Sequence, residues 1–102
     1  MIMLSFNNFV IGHYYEFNKL GWCSVEENGN DILIEFNKTV YIYTGNIQVM
    51  ILDFCSEERY TFTSMNNLNI NYKNLYIKEW NILNMDIKVR PDLKLIECID
   101  KS

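Results

Sequence analysis

Between Leu83 and Val89 the chain alternates apolar and polar at every step, so Leu83, Met85, Ile87 and Val89 share one face of an extended segment. The pattern predicts a half-buried strand. Arg90-Pro91-Asp92 then reads as a turn, because proline presets the first turn dihedral, and Leu93 to Ile99 as the return strand of a C-terminal hairpin.

Further back, Ile32, Ile34 and Phe36 share a face, and Asn37-Lys38 separates them from the strand-forming run Thr39 to Thr44. A two-residue gap with an asparagine that tolerates positive φ predicts a tight hairpin there. Thr44-Gly45-Asn46 predicts the next turn, and the nearly continuous apolar run from Ile47 to Phe54 predicts a central strand covered on both faces. Cys55 to Glu58 reads as a charged turn, Arg59 to Thr63 as another short strand, and Ser64 to Asn67 as a loop. Residues 68–82 predict two short strands around Lys73-Asn74; residues 3–20 predict a strand pair turning at Gly12-His13, with a short helix as the alternative. Turns recurring roughly every eight to twelve residues are the signal of an antiparallel sandwich or barrel.

Composition agrees with the periodicity. The 102 residues include no alanine, a single proline, 22 Ile, Val or Thr and 15 aromatic residues. The strongest helix former is missing, and the side chains that pack on pleated surfaces are abundant. The expectation is one domain, residues 1–102, mainly β: a small antiparallel sandwich or barrel-like fold carrying at most one short helix, with α+β as the alternative. At this size a single core buries roughly two-thirds of the unfolded surface.

Charge changes the picture. The net charge is −4, and residues 1–36 carry all of that excess, with Glu16, Glu26, Glu27, Asp31 and Glu35 against Lys19 alone. A field of this sign repels phosphates and steers basic proteins inward, which argues against direct nucleic-acid binding.

Little in the chain carries catalytic chemistry. His13 is the single histidine, and none of Cys23, Cys55 and Cys98 sits in a recognisable nucleophile context. Four widely separated Cys and His residues do not make a structural zinc site, and no glycine-rich phosphate loop is present. Glu26-Glu27 and Glu57-Glu58 are adjacent pairs, which on a strand would point to opposite faces and share no substrate proton. The expectation is a protein that is not an enzyme and takes no cofactor or metal. An odd cysteine count without a C-x-x-C pair predicts free, buried thiols in a reducing compartment. The opening residues lack a basic n-region, and no stretch approaches the roughly 18 apolar residues of a membrane span, so a cytoplasmic address and no membrane contact are expected.

What remains is a candidate binding face. Tyr14, Tyr15, Glu16, Trp22, Glu26, Glu27, Asp31 and Glu35 mix amphipathic rings with carboxylates within a short span. Such a mixture suits an interface with a basic protein. In size and charge the chain is similar to the small acidic immunity proteins that inhibit toxic enzymes in bacterial toxin systems. The resemblance implies a stoichiometric complex with a basic toxin or nuclease domain; a homodimer is left open. The alternative is a barrel or sandwich that binds a small apolar or sugar ligand in an aromatic-lined cavity.

Overall fold

In a computed structural model of the chain, which describes residues 9–65, 72–91 and 93, five strands and one short helix follow one another. They are β1 (Tyr14–Cys23), β2 (Ile32–Leu52), β3 (Cys55–Ser64), β4 (Asn74–Lys78), α1 (Glu79–Ile82) and β5 (Asp86–Val89). The strands form one antiparallel sheet in the order β4-β3-β2-β1-β5, so the fold is mainly β. The sheet curls. Ser24, just past β1, makes an isolated antiparallel bridge to Tyr76 of β4, with reciprocal backbone hydrogen bonds of 3.0 and 2.9 Å. β1 therefore meets β5 along its first half and β4 at its end, which closes the sheet into a barrel-like shape instead of a two-sheet sandwich.

Aromatic rings fill the interior. Tyr15 and Phe17 of β1, Phe36, Tyr41 and Tyr43 of β2, and Tyr60 and Phe62 of β3 point inward with Leu75, Ile77 and Ile87. Phe62 is fully buried, with ring centroids of Phe17, Tyr43, Phe9 and Tyr15 at 5.0, 5.2, 5.5 and 6.2 Å. Pairs of this kind add about 0.5–1.5 kcal/mol each beyond area burial.

The hairpin predicted at Asn37-Lys38 is absent; β2 runs straight through as a strand of 21 residues. The pairing of β1 and β2 shifts between Phe17/Lys19, so that Asn37 and Lys38 together oppose Asn18. A positive φ does occur there, but on Lys38, at 52°, and not on the asparagine, and it makes a bulge. Asn18 Oδ1 accepts the Lys38 backbone N–H at 2.9 Å and so satisfies the donor the bulge would orphan. The bulge also resets the alternation: Ile34 and Phe36 face inward before it, Tyr41 and Tyr43 after it.

The turn predicted at Thr44-Gly45-Asn46 is likewise a bulge, with Gly45 at φ 110° and the β2–β3 register shifting between Tyr43 and Gly45. Thr61 Oγ1 donates to the Gly45 carbonyl across this step. The true turn is Asp53-Phe54, between β2 and β3, and not the charged stretch 55–58, which belongs to β3. The segment Ile47 to Phe54 is not a covered central strand: Val49 is buried, whereas Met50, Ile51, Leu52 and Phe54 are exposed.

At the C-terminal side, Leu83 to Met85 leave α1 as a turn, so the strand starts only at Asp86. Residues 79–82 form the one helix among the described residues, where a strand was expected; the alternative helix considered for 3–20 is strand from Tyr14 onward, preceded by a turn with Gly12 at φ 87°. Strand pairing expected before residue 9, the strand placed at 68–71 and the return strand beyond Leu93 lie outside the described residues.

Candidate binding surfaces

The bulged β1 strand sorts the predicted residues by face. Tyr15 points into the core, its hydroxyl accepting the Val10 N–H at 2.9 Å, and is 1% exposed. Tyr14 is also buried, on the opposite side of the strand, where it lines a shallow cavity of about 320 Å³ with Gly12, His13 and Val89. Neither ring presents surface to a partner. Both were expected as anchors; burial of a strand with a covered face on each side removes them.

Glu16 is held internally. Its carboxylate accepts from Asn18 Nδ2 at 2.9 Å and from Arg90 Nη1 at 2.8 Å. The Asn18 hydrogen bond holds its pKa below the ordinary 4.5; burial works against this, and Arg90 reinforces it.

Asp31 is held too, by α1 and β4. Its Oδ2 accepts from Asn81 Nδ2 at 2.9 Å and lies 3.6 Å from Lys78 Nζ. Lys78 also approaches Glu57 at 3.9 Å, and Glu57 approaches Arg59 at 3.4 Å. The buried Arg59 donates to the backbone carbonyls of Glu27 and Gly29 at 3.3 and 3.1 Å. This network clamps the loop after β1 onto β3 and β4. It stabilises structure and leaves Asp31 no free charge for a partner.

Four of the predicted residues remain at the surface: Trp22, Glu26, Glu27 and Glu35. Trp22 stands opposite Leu33 in the β1–β2 register, and Leu20 opposite Glu35, so all four share the outer face of the sheet. Trp22, Leu33 and Leu20 are each about half exposed. Directly opposed side chains on one face have Cβ atoms about 4.5–5.5 Å apart, so the ring and the leucine form a continuous apolar strip. Glu26 and Glu27 follow in the turn beyond Ser24, whose Oγ accepts the Glu26 N–H at 3.2 Å and fixes the start of the loop. Glu26, Glu27 and Glu35 make no ion pair among the described residues.

The sequence reading missed the second exposed surface. β1 and β4 flank the β2–β3 hairpin only as far as Ile42 and Arg59, with Gly12 still hydrogen-bonded to the Tyr43 carbonyl at 2.8 Å. Beyond that, from Gln48–Glu58 to Leu52–Cys55, the hairpin is a two-stranded ribbon with no flanking strand among the described residues. Met50, Ile51, Leu52 and Phe54 are 59, 50, 63 and 90% exposed at its end. The apolar run was visible in the sequence; its isolation from other strands was not.

Cys23 is buried, and burial, helped by the nearby Asp31 charge, pushes its thiol up to about 12. It is chemically inert at neutral pH. Cys55 is exposed beside the ribbon turn, contrary to the expectation that every thiol is inside; Cys98 lies outside the described residues. No helix among the described residues is long and apolar enough to cross a membrane.

Comparison with protein families, with curated proteins and with solved structures finds no match for this chain.

Proposed function

We propose that the protein is a small acidic binding protein of the immunity or antitoxin type, which neutralises a basic enzyme such as a nuclease by forming a stoichiometric complex. The observation that carries this reading is the outer face of β1 and β2, where the half-exposed Trp22 and Leu33 lie side by side, and Glu35 there and Glu26 and Glu27 in the adjoining turn make no ion pair among the described residues. A large ring beside an aliphatic side chain supplies buried contact area, and rim carboxylates supply steering toward cations. An enzyme that acts on phosphates has to present such cations. The interior does not favour the small-ligand alternative, because its rings pack against one another instead of lining a cavity.

The test is coexpression with each protein of basic net charge encoded beside this gene. A one-to-one complex by light scattering, with loss of the partner's enzymatic activity, is the expected result. Glu26→Lys with Glu27→Lys lowers the association rate about tenfold or more at low salt and flattens its salt dependence. A partner that stays active in the presence of excess protein overturns the reading.

A further inference from the structure

We infer that the β2–β3 ribbon, residues 48–58, enters a cleft of the partner, its tip seated in an apolar pocket flanked by cations. The inference rests on the reading above and adds the element that makes the contact.

Turn chemistry does not account for the tip. The loop is Asp53-Phe54, and the phenylalanine is 90% exposed. Neither Asp53 nor Phe54 has a positive φ, so the turn accepts most residue types and nothing in its geometry calls for a large apolar ring. Met50 and Leu52 on the adjoining strand add large apolar side chains that the core does not cover. Contiguous exposed apolar groups at the end of a projecting element mark an interaction site. From Gln48 to Leu52 the unflanked ribbon spans about 13 Å at the usual strand rise, and the Asp53-Phe54 turn carries it further out, toward an enzyme cleft.

Charge identifies the occupant. No Lys or Arg occurs from Thr39 to Glu58, while Asp53, Glu57 and Glu58 do. Lys78 and Arg59 hold Glu57; Asp53 at the tip makes no ion pair among the described residues, and Glu58 on the shaft accepts only an amide N–H, from Asn46 at 2.9 Å. An apolar end on an acidic shaft complements a cationic groove with an apolar floor. It does not complement an anionic lipid surface, nor a second copy of this chain, in which like charges would meet.

The experiment is titration calorimetry with the basic protein of the coexpressed complex, using the full chain, Phe54→Ser, Asp53→Lys and the pair Glu26→Lys, Glu27→Lys. Phe54 is an exposed side chain, so Phe54→Ser is expected to keep the parent's urea midpoint while weakening binding about 30-fold or more, the loss typical of a buried aromatic anchor. Asp53→Lys weakens binding further as salt is lowered. Full-strength binding by both ribbon variants, with weakened binding by the Glu26 and Glu27 reversals, overturns the ribbon's role and leaves the inhibitor reading standing. If the wild type binds no basic protein, and Phe54→Ser instead abolishes self-association or flotation with phosphatidylcholine vesicles, both proposals fall. Absence of any complex overturns both as well.

Discussion

Arg90, one residue past β5, donates from Nη1 to Glu16 Oε1 at 2.8 Å, while its backbone N–H donates to the Tyr14 carbonyl at 2.9 Å. Two bonds from one residue thus hold the end of the last described strand against β1. Asn18 and Arg90 lower the Glu16 pKa in the folded chain, so its charged form is favoured by folding. The stabilisation is fully present above the unfolded carboxylate pKa and is lost as pH falls through the lowered folded value. Glu16→Gln is therefore destabilising at pH 7, and the difference from wild type closes under acid. Urea midpoints of the two proteins at pH 7 and at about pH 3 check this; a gap that does not narrow contradicts it.

Phe62 holds the interior together. It is fully buried and touches four other rings, from the segment before β1, from β1 and from β2. Phe62→Ala removes the ring and leaves a void that stiff aromatic neighbours do not fill, at a cost of about 3–5 kcal/mol. Chemical denaturation gives the value directly, and a loss under about 1 kcal/mol would mean the core repacks.

Alkaline pH unfolds the protein through groups buried in their neutral form. Burial raises Cys23, Tyr41 and Tyr60 each to about 12, from ordinary values of 9.0, 10.0 and 10.0. Raised folded values mean the stabilisation is complete below the unfolded pKa and disappears as pH rises through the folded one. Stability is thus expected to fall from about pH 9 toward pH 12. Ultraviolet absorbance of tyrosinate should rise together with loss of circular dichroism. Tyrosine ionisation well before unfolding would show the rings to be accessible.

Gly45 has φ 110° in the bulge that bends β2 across β3. A Cβ there meets nothing closer than Ile11 Cδ1 at 3.4 Å, so space is available, but the backbone angle is one that L side chains avoid. Gly45→Ala is expected to cost about 1–3 kcal/mol, measurable as a lowered urea midpoint. A neutral result would mean the bulge relaxes.

Most of the β character was readable because apolar alternation and β-branched residues survive in local sequence. Ile87, Tyr41, Tyr43 and Leu75 sit inside as the periodicity implies. Turns were misplaced because the same residues, Asn37-Lys38 and Thr44-Gly45, serve a bulge as well as a hairpin, and only pairing with β1 and β3 decides between the two. The candidate face was half legible for a related reason. Sequence proximity put Glu16 and Asp31 beside Trp22, whereas Arg90 and Asn81, distant in sequence, take up those two carboxylates. The ribbon could be located only after knowing where β1 and β4 stop.

The double residue opposite Asn18 makes residue count, not only residue type, a constraint on β2. Deleting Asn37 would leave Lys38 alone opposite Asn18, a regular ladder that keeps Tyr41 and Tyr43 inward but loses the bend, whereas one further inserted residue would send both rings outward. Past the last flanking strand that restriction lifts: the hairpin end can lengthen or shorten by one residue pair per strand without disturbing the barrel. Variants of this scaffold could then be matched to deeper or shallower targets in discrete steps, with the folded body unchanged.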